Sequence, residues 1–375
     1  MLKMTNLKIC YLTYQTFPAE TANSQQTLSN IVYFVRNKID IKLLFPLRDK
    51  TSSDSLIELK NYYNFQDDFD VEGLSHPYPF GKWKIFNKLA FHVSHYLWAK
   101  KATNHIITNG EKFDYFFTRS DWVFYFLSKK DFDVIFEVHQ ISKLRNLILR
   151  ISSKKSKSKV ILLNENLKDK LSDLVNLKNS IVLHNAADLD FFESSTVKAK
   201  EIVFVGNLKR FNNERNLKFI IEGYAKSELT NNYKFTIIGG PSKDAETLLS
   251  FVKKRYPNLN IDITGRLPRL EAIRKIRNSE IGIMINDSNN VHSTHYTSPL
   301  KYFEYLAAGL IVLAVDFPAH RTLPHSENII FFKENQIESL KEAFNESANA
   351  KFHKISLKDV SLDTRVKKII NFLNI

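Results

Sequence analysis

Residues 295–309 read His-Tyr-Thr-Ser-Pro-Leu-Lys-Tyr-Phe-Glu-Tyr-Leu-Ala-Ala-Gly and bring hydroxyls, a proline, a lysine and a carboxylate into one short stretch. Ser298 suits a helix-capping position, and Pro299 the first helical one, where no N–H is needed. Leu300, Phe303, Leu306 and Ala307 recur every three or four residues, so one face of that helix is buried. Gly309 ends it in a left-handed cap, and residues 310–315 read as a buried strand. Thr297, Ser298, Pro299 and Leu300 then mark a positive helix end whose N–H groups suit a phosphate. Glu304, just beyond the first turn, is spaced to accept hydrogen bonds from a sugar diol. The plainer reading of the same pattern is a capped amphipathic helix with a solvent-facing glutamate.

Such a helix needs a sheet behind it, and the chain repeats the pattern of one twice. Its 375 residues exceed the length over which one core keeps growing, so two domains are expected. Hydrophobic content of 43% and charged content of 25% place it among globular proteins rather than disordered or fibrous ones. A strand at 8–13, a helix at 25–36 and a strand at 41–45 make a β-α-β unit. The loop 14–24 lacks a glycine fingerprint, which argues against dinucleotide binding there. Asn23, Ser24 and Gln25, where that loop enters the helix, read either as helix-entry caps or as substrate contacts. His139 stands just past a strand at 134–138, at the carboxyl end where open α/β sheets bind ligands. The pattern restarts at Glu201, with strands at 202–205, 233–238, 261–264 and 281–285, a loop at 206–214 and a helix from Arg215. A terminal helix covers 362–375. The expected fold class is α/β, with two Rossmann-like doubly wound domains facing across a cleft. Their bounds are 1–192 and 193–355, with 356–375 packing back on the first.

The formal charge of +14 divides into +9 over residues 1–187 and +5 over the rest. That bias points to an acidic surface or acidic substrates. Residues 82–101 interleave Trp83, Phe86, Leu89, Val93 and Tyr96 with Lys82, Lys84, Lys88, Lys100 and Lys101. They read as a basic helix lying on an anionic membrane, or as a core helix with a solvated basic edge. Residues 143–159 hold seven basic residues and no acidic one, suited to phosphates, to anionic lipid or simply to solvent. Cys10 is the one cysteine, which excludes an intramolecular disulfide and fits a reducing compartment. No 18-residue apolar run occurs and residues 1–12 lack a leader pattern, so neither spanning nor secretion is expected. His92 and His95, three apart, show no ligand spacing.

Four segments of the second half carry a resemblance. Ile202-Val-Phe-Val-Gly-Asn-Leu208, Phe235-Thr-Ile-Ile-Gly-Gly240, Ile263-Thr-Gly-Arg266 and residues 298–309 follow the order of the nucleotide-sugar domain of the glycosyltransferase family 4 group. That group has the two-Rossmann-domain GT-B fold. In the first half, Phe136-Glu-Val-His139 resembles its histidine-bearing segment, and residues 183–192 resemble the segment before its interdomain crossing. The likeness implies sugar transfer from a nucleotide diphosphate donor, UDP or GDP, to an acceptor held by the first domain, with retained anomeric configuration.

Under that resemblance Glu304 matches the second glutamate of an E-x7-E pattern, which holds the ribose hydroxyls. Tyr296 stands where the first glutamate would be. Thr297, Ser298, Pro299 and Leu300 match the phosphate-facing turn, with Lys301 beside them. Gly206, Leu208, Gly239 and Arg266 fall on the nucleotide side, and His139 matches the histidine that approaches the donor sugar. Asn207 follows Gly206, so the basic pair that neutralises the diphosphate is assigned to Arg215 and then Lys209. The leaving diphosphate gains negative charge, and without a metal those cations and helix N–H groups must stabilise it. Asp68-Phe-Asp70 and Asp131-Phe-Asp133 have the Asp-x-Asp form of metal-dependent sugar transferases but read as loop and turn. No metal or other cofactor is expected. The expected partners are a nucleotide-sugar donor, a glycan or lipid-linked acceptor and an anionic membrane at the cytoplasmic face, with no nucleic acid. Two rivals remain: an epimerase of the same fold, and a non-catalytic basic scaffold.

Overall fold

The computed structural model describes residues 7–76, 78, 87–155, 157–192, 198–210, 213–286 and 288–373. The chain divides into two compact units, Met1–Leu183 with Val366–Ile375, and His184–Arg365.

The first unit opens with β1 (Lys8–Leu12), α1 (Ala22–Arg36), β2 (Asp40–Leu47), α2 (Leu56–Tyr63), β3 (Asp70–Ser75) and α3 (Asn87–Asn109). It continues with β4 (Tyr115–Thr118), α4 (Asp121–Lys129), β5 (Val134–Val138), α5 (Lys143–Ser152), β6 (Ser158–Leu162), α6 (Glu165–Leu171) and β7 (Ser180–Val182). The seven strands are parallel, in the order β3-β2-β1-β4-β5-β6-β7. Every residue of β5 is buried, as expected for a parallel strand covered on both faces. The order reverses at β1, so right-handed crossovers put α1 and α2 on one face and α3 to α6 on the other. Thr21 caps α1 by accepting from the Ser24 N–H at 3.1 Å, three residues earlier than the helix was placed from sequence. The helix at 82–101 is observed as α3; residues 82–86 lie outside the described residues.

The second unit contains β8 (Glu201–Val205), the short hairpin β9 (Lys209–Arg210) and β10 (Asn213–Glu214), α7 (Leu217–Lys226), β11 (Lys234–Ile238), α8 (Ser242–Arg255) and β12 (Ile261–Gly265). After these come α9 (Arg269–Asn278), β13 (Ile281–Met284), α10 (Leu300–Ala307), β14 (Ile311–Val315), α11 (Pro318–Arg321), β15 (Ile329–Phe332) and α12 (Ile337–Ser347). Six parallel strands run β12-β11-β8-β13-β14-β15. The stretch 206–214, read as a plain loop, folds back on itself because Asn213 and Glu214 pair with Arg210 and Lys209. Its hairpin delays the next helix from Arg215 to Leu217.

The last helix, α13 (Leu362–Phe372), starts in the second unit and ends in the first. There Tyr115 Oη donates to the Leu373 carbonyl at 3.3 Å and Lys159 Nζ to that of Phe372 at 3.0 Å.

Candidate functional site

In each sheet the strand order reverses beside its first strand, and ligands of open α/β sheets bind at that reversal, outside the carboxyl ends. In the second unit it falls between β8 and β13. Gly206, just past β8, donates to the Ile238 carbonyl at 3.0 Å, Leu208 to that of Gly240 at 3.0 Å, and Gly239 to that of Gly265 at 2.8 Å. A Cβ on Gly239 would run into the Gly206 carbonyl oxygen, so only glycine lets these two loops meet. Arg215 donates from its backbone N–H to Leu208 at 3.0 Å, and its Nη1 reaches the Ile285 carbonyl beyond β13 at 3.4 Å. Its guanidinium therefore lies across the reversal. Arg266 Nη2 reaches Asn207 Oδ1 at 3.3 Å, tying the loop after β12 to the same place. Lys209 turns elsewhere: its Nζ binds Asp244 on α8 at 2.6 Å, which raises its pKa.

The helix at 300–307 starts one residue later than its sequence suggests. Pro299 holds the capping position, with no side-chain cap bond, and Leu300 opens the helix. Ser298 is not the cap because its Oγ accepts the backbone N–H of Asn185 at 2.9 Å; Asn185 Nδ2 also donates to the Ser298 carbonyl at 2.5 Å. Thr297 and Ser298 are buried, and so is every residue from Tyr302 to Ala307, far beyond a one-sided stripe. Tyr305 explains part of this: its hydroxyl accepts from the Val205 N–H at 3.2 Å and reaches the Ile283 carbonyl at 3.4 Å. Gly309, at φ +69°, ends the helix as its sequence suggests.

Glu304 is buried rather than solvent-facing. Lys301 Nζ lies 2.5 Å from one carboxylate oxygen and Arg269 Nη1 3.5 Å from the other. Burial pushes its pKa up, but Lys301 and Arg269 outweigh that and hold the carboxyl below its ordinary range. Arg269 itself stacks over Phe191 at 4.9 Å. The result is an ionised acceptor braced by two cations, the type of group that takes paired hydroxyls. Tyr296 ends a π-helical turn, His292–Tyr296, and just before it Asn290 Oδ1 accepts from the His292 N–H at 2.9 Å. Behind this turn lies α11, whose buried His320 meets the Val315 carbonyl through Nδ1 at 2.7 Å and Asn286 Nδ2 through Nε2 at 3.2 Å. The carbonyl only accepts, so His320 carries its proton on Nδ1.

In the first unit the reversal falls between β1 and β4. His139, past β5, is 2.5 Å through Nε2 from Glu137 Oε1, and Arg119 Nη2 lies 2.8 Å from the same oxygen. Arg119, past β4, also donates to Asn23 Oδ1 on α1 at 2.7 Å. Glu137 is fully buried, and the Arg119 guanidinium beside it supplies the counter-charge that keeps it an acceptor. His139 therefore donates from Nε2, which fixes its tautomer and ring plane. Beside this cluster, the Tyr14 hydroxyl bridges His76 Nε2 at 2.8 Å and Ser94 Oγ at 2.6 Å, with His95 stacked on the Tyr14 ring at 4.3 Å.

Asp68 is held by Lys60 at 2.6 Å and Asp131 by Lys157 at 3.2 Å. Reading the sequence missed Arg119, Asn185 and Arg269. Arg119 directly follows a strand end, a legible signal; Asn185 and Arg269 act only through long-range contacts and leave none.

With this geometry in view, residues 199–349, most of the second unit, match the family model described as Glycosyl transferases group 1. No curated protein sequence matches significantly. Among solved structures, sucrose-phosphate synthase from Thermosynechococcus elongatus is similar at TM-score 0.69 and 10% identity, covering 98% of this chain and 94% of that one. The catalytic domain of starch synthase IV from Arabidopsis thaliana, bound to ADP and acarbose, is similar at 0.66 and 11%, covering 99% of each chain. UDP-GlcNAc 2-epimerase from Methanocaldococcus jannaschii is similar at 0.61 and 15%, covering 98% and 99%. Residues 199–349 of the second unit match the glycosyl transferases group 1 family, and the chain has the GT-B fold of these solved structures.

Proposed function

We propose that this protein is a glycosyltransferase that takes a sugar from a UDP or GDP donor and passes it, with retention and without a metal, to a glycan or lipid-linked acceptor. The setting is cell-surface polysaccharide synthesis, lipopolysaccharide or capsule, at the cytoplasmic face of the membrane. The observation that carries the donor half is Glu304: a buried carboxylate, kept ionised by Lys301 and Arg269, on the helix whose N-terminal turn Asn185 holds. In this reading Glu304 accepts the two ribose hydroxyls, while the first N–H groups of α10 face the diphosphate with Thr297 and Ser298. Arg215 supplies the cation for the leaving group, where charge develops as the glycosidic bond breaks. Lys209, drawn to Asp244, is second to it. Tyr296 replaces a carboxylate at the sugar with a hydroxyl. His139, held by Glu137 beside Arg119, is the catalytic candidate of the first unit.

A likeness to an epimerase keeps one rival in play, and product analysis separates the two. Purified protein is incubated with UDP- and GDP-sugars, with and without a lipid extract as acceptor. Transfer predicts nucleotide release that the extract accelerates and a sugar-bearing lipid product. A new nucleotide sugar formed without acceptor would overturn the proposal in favour of epimerisation.

A further inference from the structure

We propose that the corner of the first unit where β1, β2 and β3 end is a binding site for an oxyanion, a phosphate or carboxylate group of the acceptor, with Arg48 as its main contact. That the anion belongs to an acceptor rests on the transferase reading above; the site itself does not.

β3, β2 and β1 lie side by side, and each delivers one residue just past its carboxyl end. These are His76 after β3, Arg48 after β2 and Tyr14 beyond β1. They meet around one ring. The Tyr14 hydroxyl is 2.8 Å from His76 Nε2, the Arg48 guanidinium lies 5.2 Å from the Tyr14 ring centre, and His95 stacks on that ring. Lys101 reaches the same corner from α3, its Nζ donating to the Ser75 carbonyl at 2.8 Å. The hydroxyl is fully engaged. His76 Nδ1 accepts the Tyr78 N–H at 3.0 Å, so its Nε2 donates to Tyr14, which in turn donates to Ser94 Oγ at 2.6 Å. This chain of bonds fixes the ring on which Arg48 rests. Of the five N–H donors of a guanidinium, the bond from Arg48 Nη2 to Thr16 Oγ1 at 3.2 Å takes one.

What sets this corner apart is positive charge without a counter-charge. In the same unit Arg119 faces Glu137, Lys42 faces Glu72 and Glu111, and Arg145 faces Asp121. No carboxylate among the described residues pairs with Arg48 or Lys101. Residues 76–110 contain no Asp or Glu, and Asp49, next to Arg48, is engaged by the Thr51 and Ser52 hydroxyls at 2.8 and 3.0 Å. The charged neighbours that act on His76 are Arg48 and Lys101, and those that act on His95 are His92, Arg145, Arg48 and His76. None of them is an acid. His95 Nε2 is also buried without a hydrogen-bond partner among the described residues. A cleft lined by one sign of charge draws the opposite one, and the planar guanidinium fork fits two oxygens of a phosphate or carboxylate. The Tyr14 N–H donates to Ser120 Oγ at 3.0 Å, so the corner adjoins Arg119 along the same edge of the sheet. An acceptor anchored here by its acidic group extends along that edge toward His139.

The test is binding of inorganic phosphate, glucuronate and glucose by the full chain, read by calorimetry and by NMR of the histidine rings at constant ionic strength. Phosphate or glucuronate saturates the site, and the pH at which the His76 ring titrates rises from about 4, because the anion supplies the missing counter-charge. Glucose does neither. The histidine signal separates this site from any phosphate held beside Arg215. Arg48→Ala weakens the anion by about tenfold or more. Arg48→Gln, which keeps a donor for Thr16, does the same and reports loss of charge apart from loss of fold. Lys50→Ala, an exposed cation two residues on, leaves affinity unchanged. A response to phosphate alone supports the site with a phosphorylated acceptor, and one to glucuronate alone with a carboxylated one. No saturable binding, undiminished binding by both Arg48 variants, or an equal loss in Lys50→Ala overturns the inference. Anion binding without any nucleotide-dependent thermal shift sinks the transferase reading and leaves this site standing; the reverse result sinks this site alone.

Discussion

In the proposed function two buried carboxylates, Glu304 and Glu137, one in each unit, matter most at the scale of single residues. Glu304→Ala removes the acceptor that Lys301 and Arg269 face. It should raise the donor KM by about tenfold or more and cost about 1–3 kcal/mol in a urea titration, since two partly solvated cations lose their partner. Glu137→Gln keeps the shape but offers His139 an amide in place of a carboxylate. We expect kcat to fall by about 10–100-fold with little change in donor KM. Nitrogen chemical shifts of the His139 ring should show the Nε2-protonated tautomer weakened; an unchanged tautomer and kcat would remove Glu137 from the mechanism. Glu304 was legible in the sequence by its place on a patterned helix. Its burial was not, because Arg269 reaches it from 35 residues away in the chain. Arg119 and Glu137 are likewise joined only once β4 and β5 pair.

Among the elements, most of the parallel strands and the helix ending at Gly309 were readable because apolar runs and turn glycines are local signals. β3, β15, α5, α11 and α12 were not placed, and other elements were missed for identifiable reasons. α2 and α4 are short helices whose exposed or aromatic residues blur the period, and the β9–β10 hairpin is two residues a side. The start of α10 was misplaced because Ser298, a good cap by type, is engaged by Asn185, over 100 residues distant. That clamp gives an element-scale prediction. Asn185→Ala removes the Nδ2 bond to the Ser298 carbonyl and should destabilise the second unit by about 1–2 kcal/mol, with a matching rise in donor KM. A stability loss without a change in KM would mean that the turn does not face the donor. Gly239→Ala forces the loops after β8 and β11 apart and should cost about 2–4 kcal/mol, read as a lower urea midpoint.

For the whole molecule, two α/β units were expected from length and repeated pattern, and two are found. Burial gives the first of them an acid sensitivity. His76 is pushed down from 6.5 to about 4, chiefly by burial and then by Arg48 and Lys101, and burial drives His95 well below its ordinary value. The unfolded chain therefore binds protons that the folded unit refuses, so stability is complete above about pH 6.5 and declines as pH falls toward 4. Urea midpoints at pH 7 and pH 5 should differ more for wild type than for His76→Gln; equal differences would dismiss His76 as the cause. In the proposed function the second unit holds a nucleoside diphosphate through Glu304. Its most direct test is a thermal-shift series with UDP, GDP, ADP and CMP on wild type and Glu304→Ala. Stabilisation of the wild type by UDP or GDP, largely lost in the variant, is the predicted result. No shift with any nucleotide at about millimolar concentration, where even a weak site would be partly filled, would contradict it.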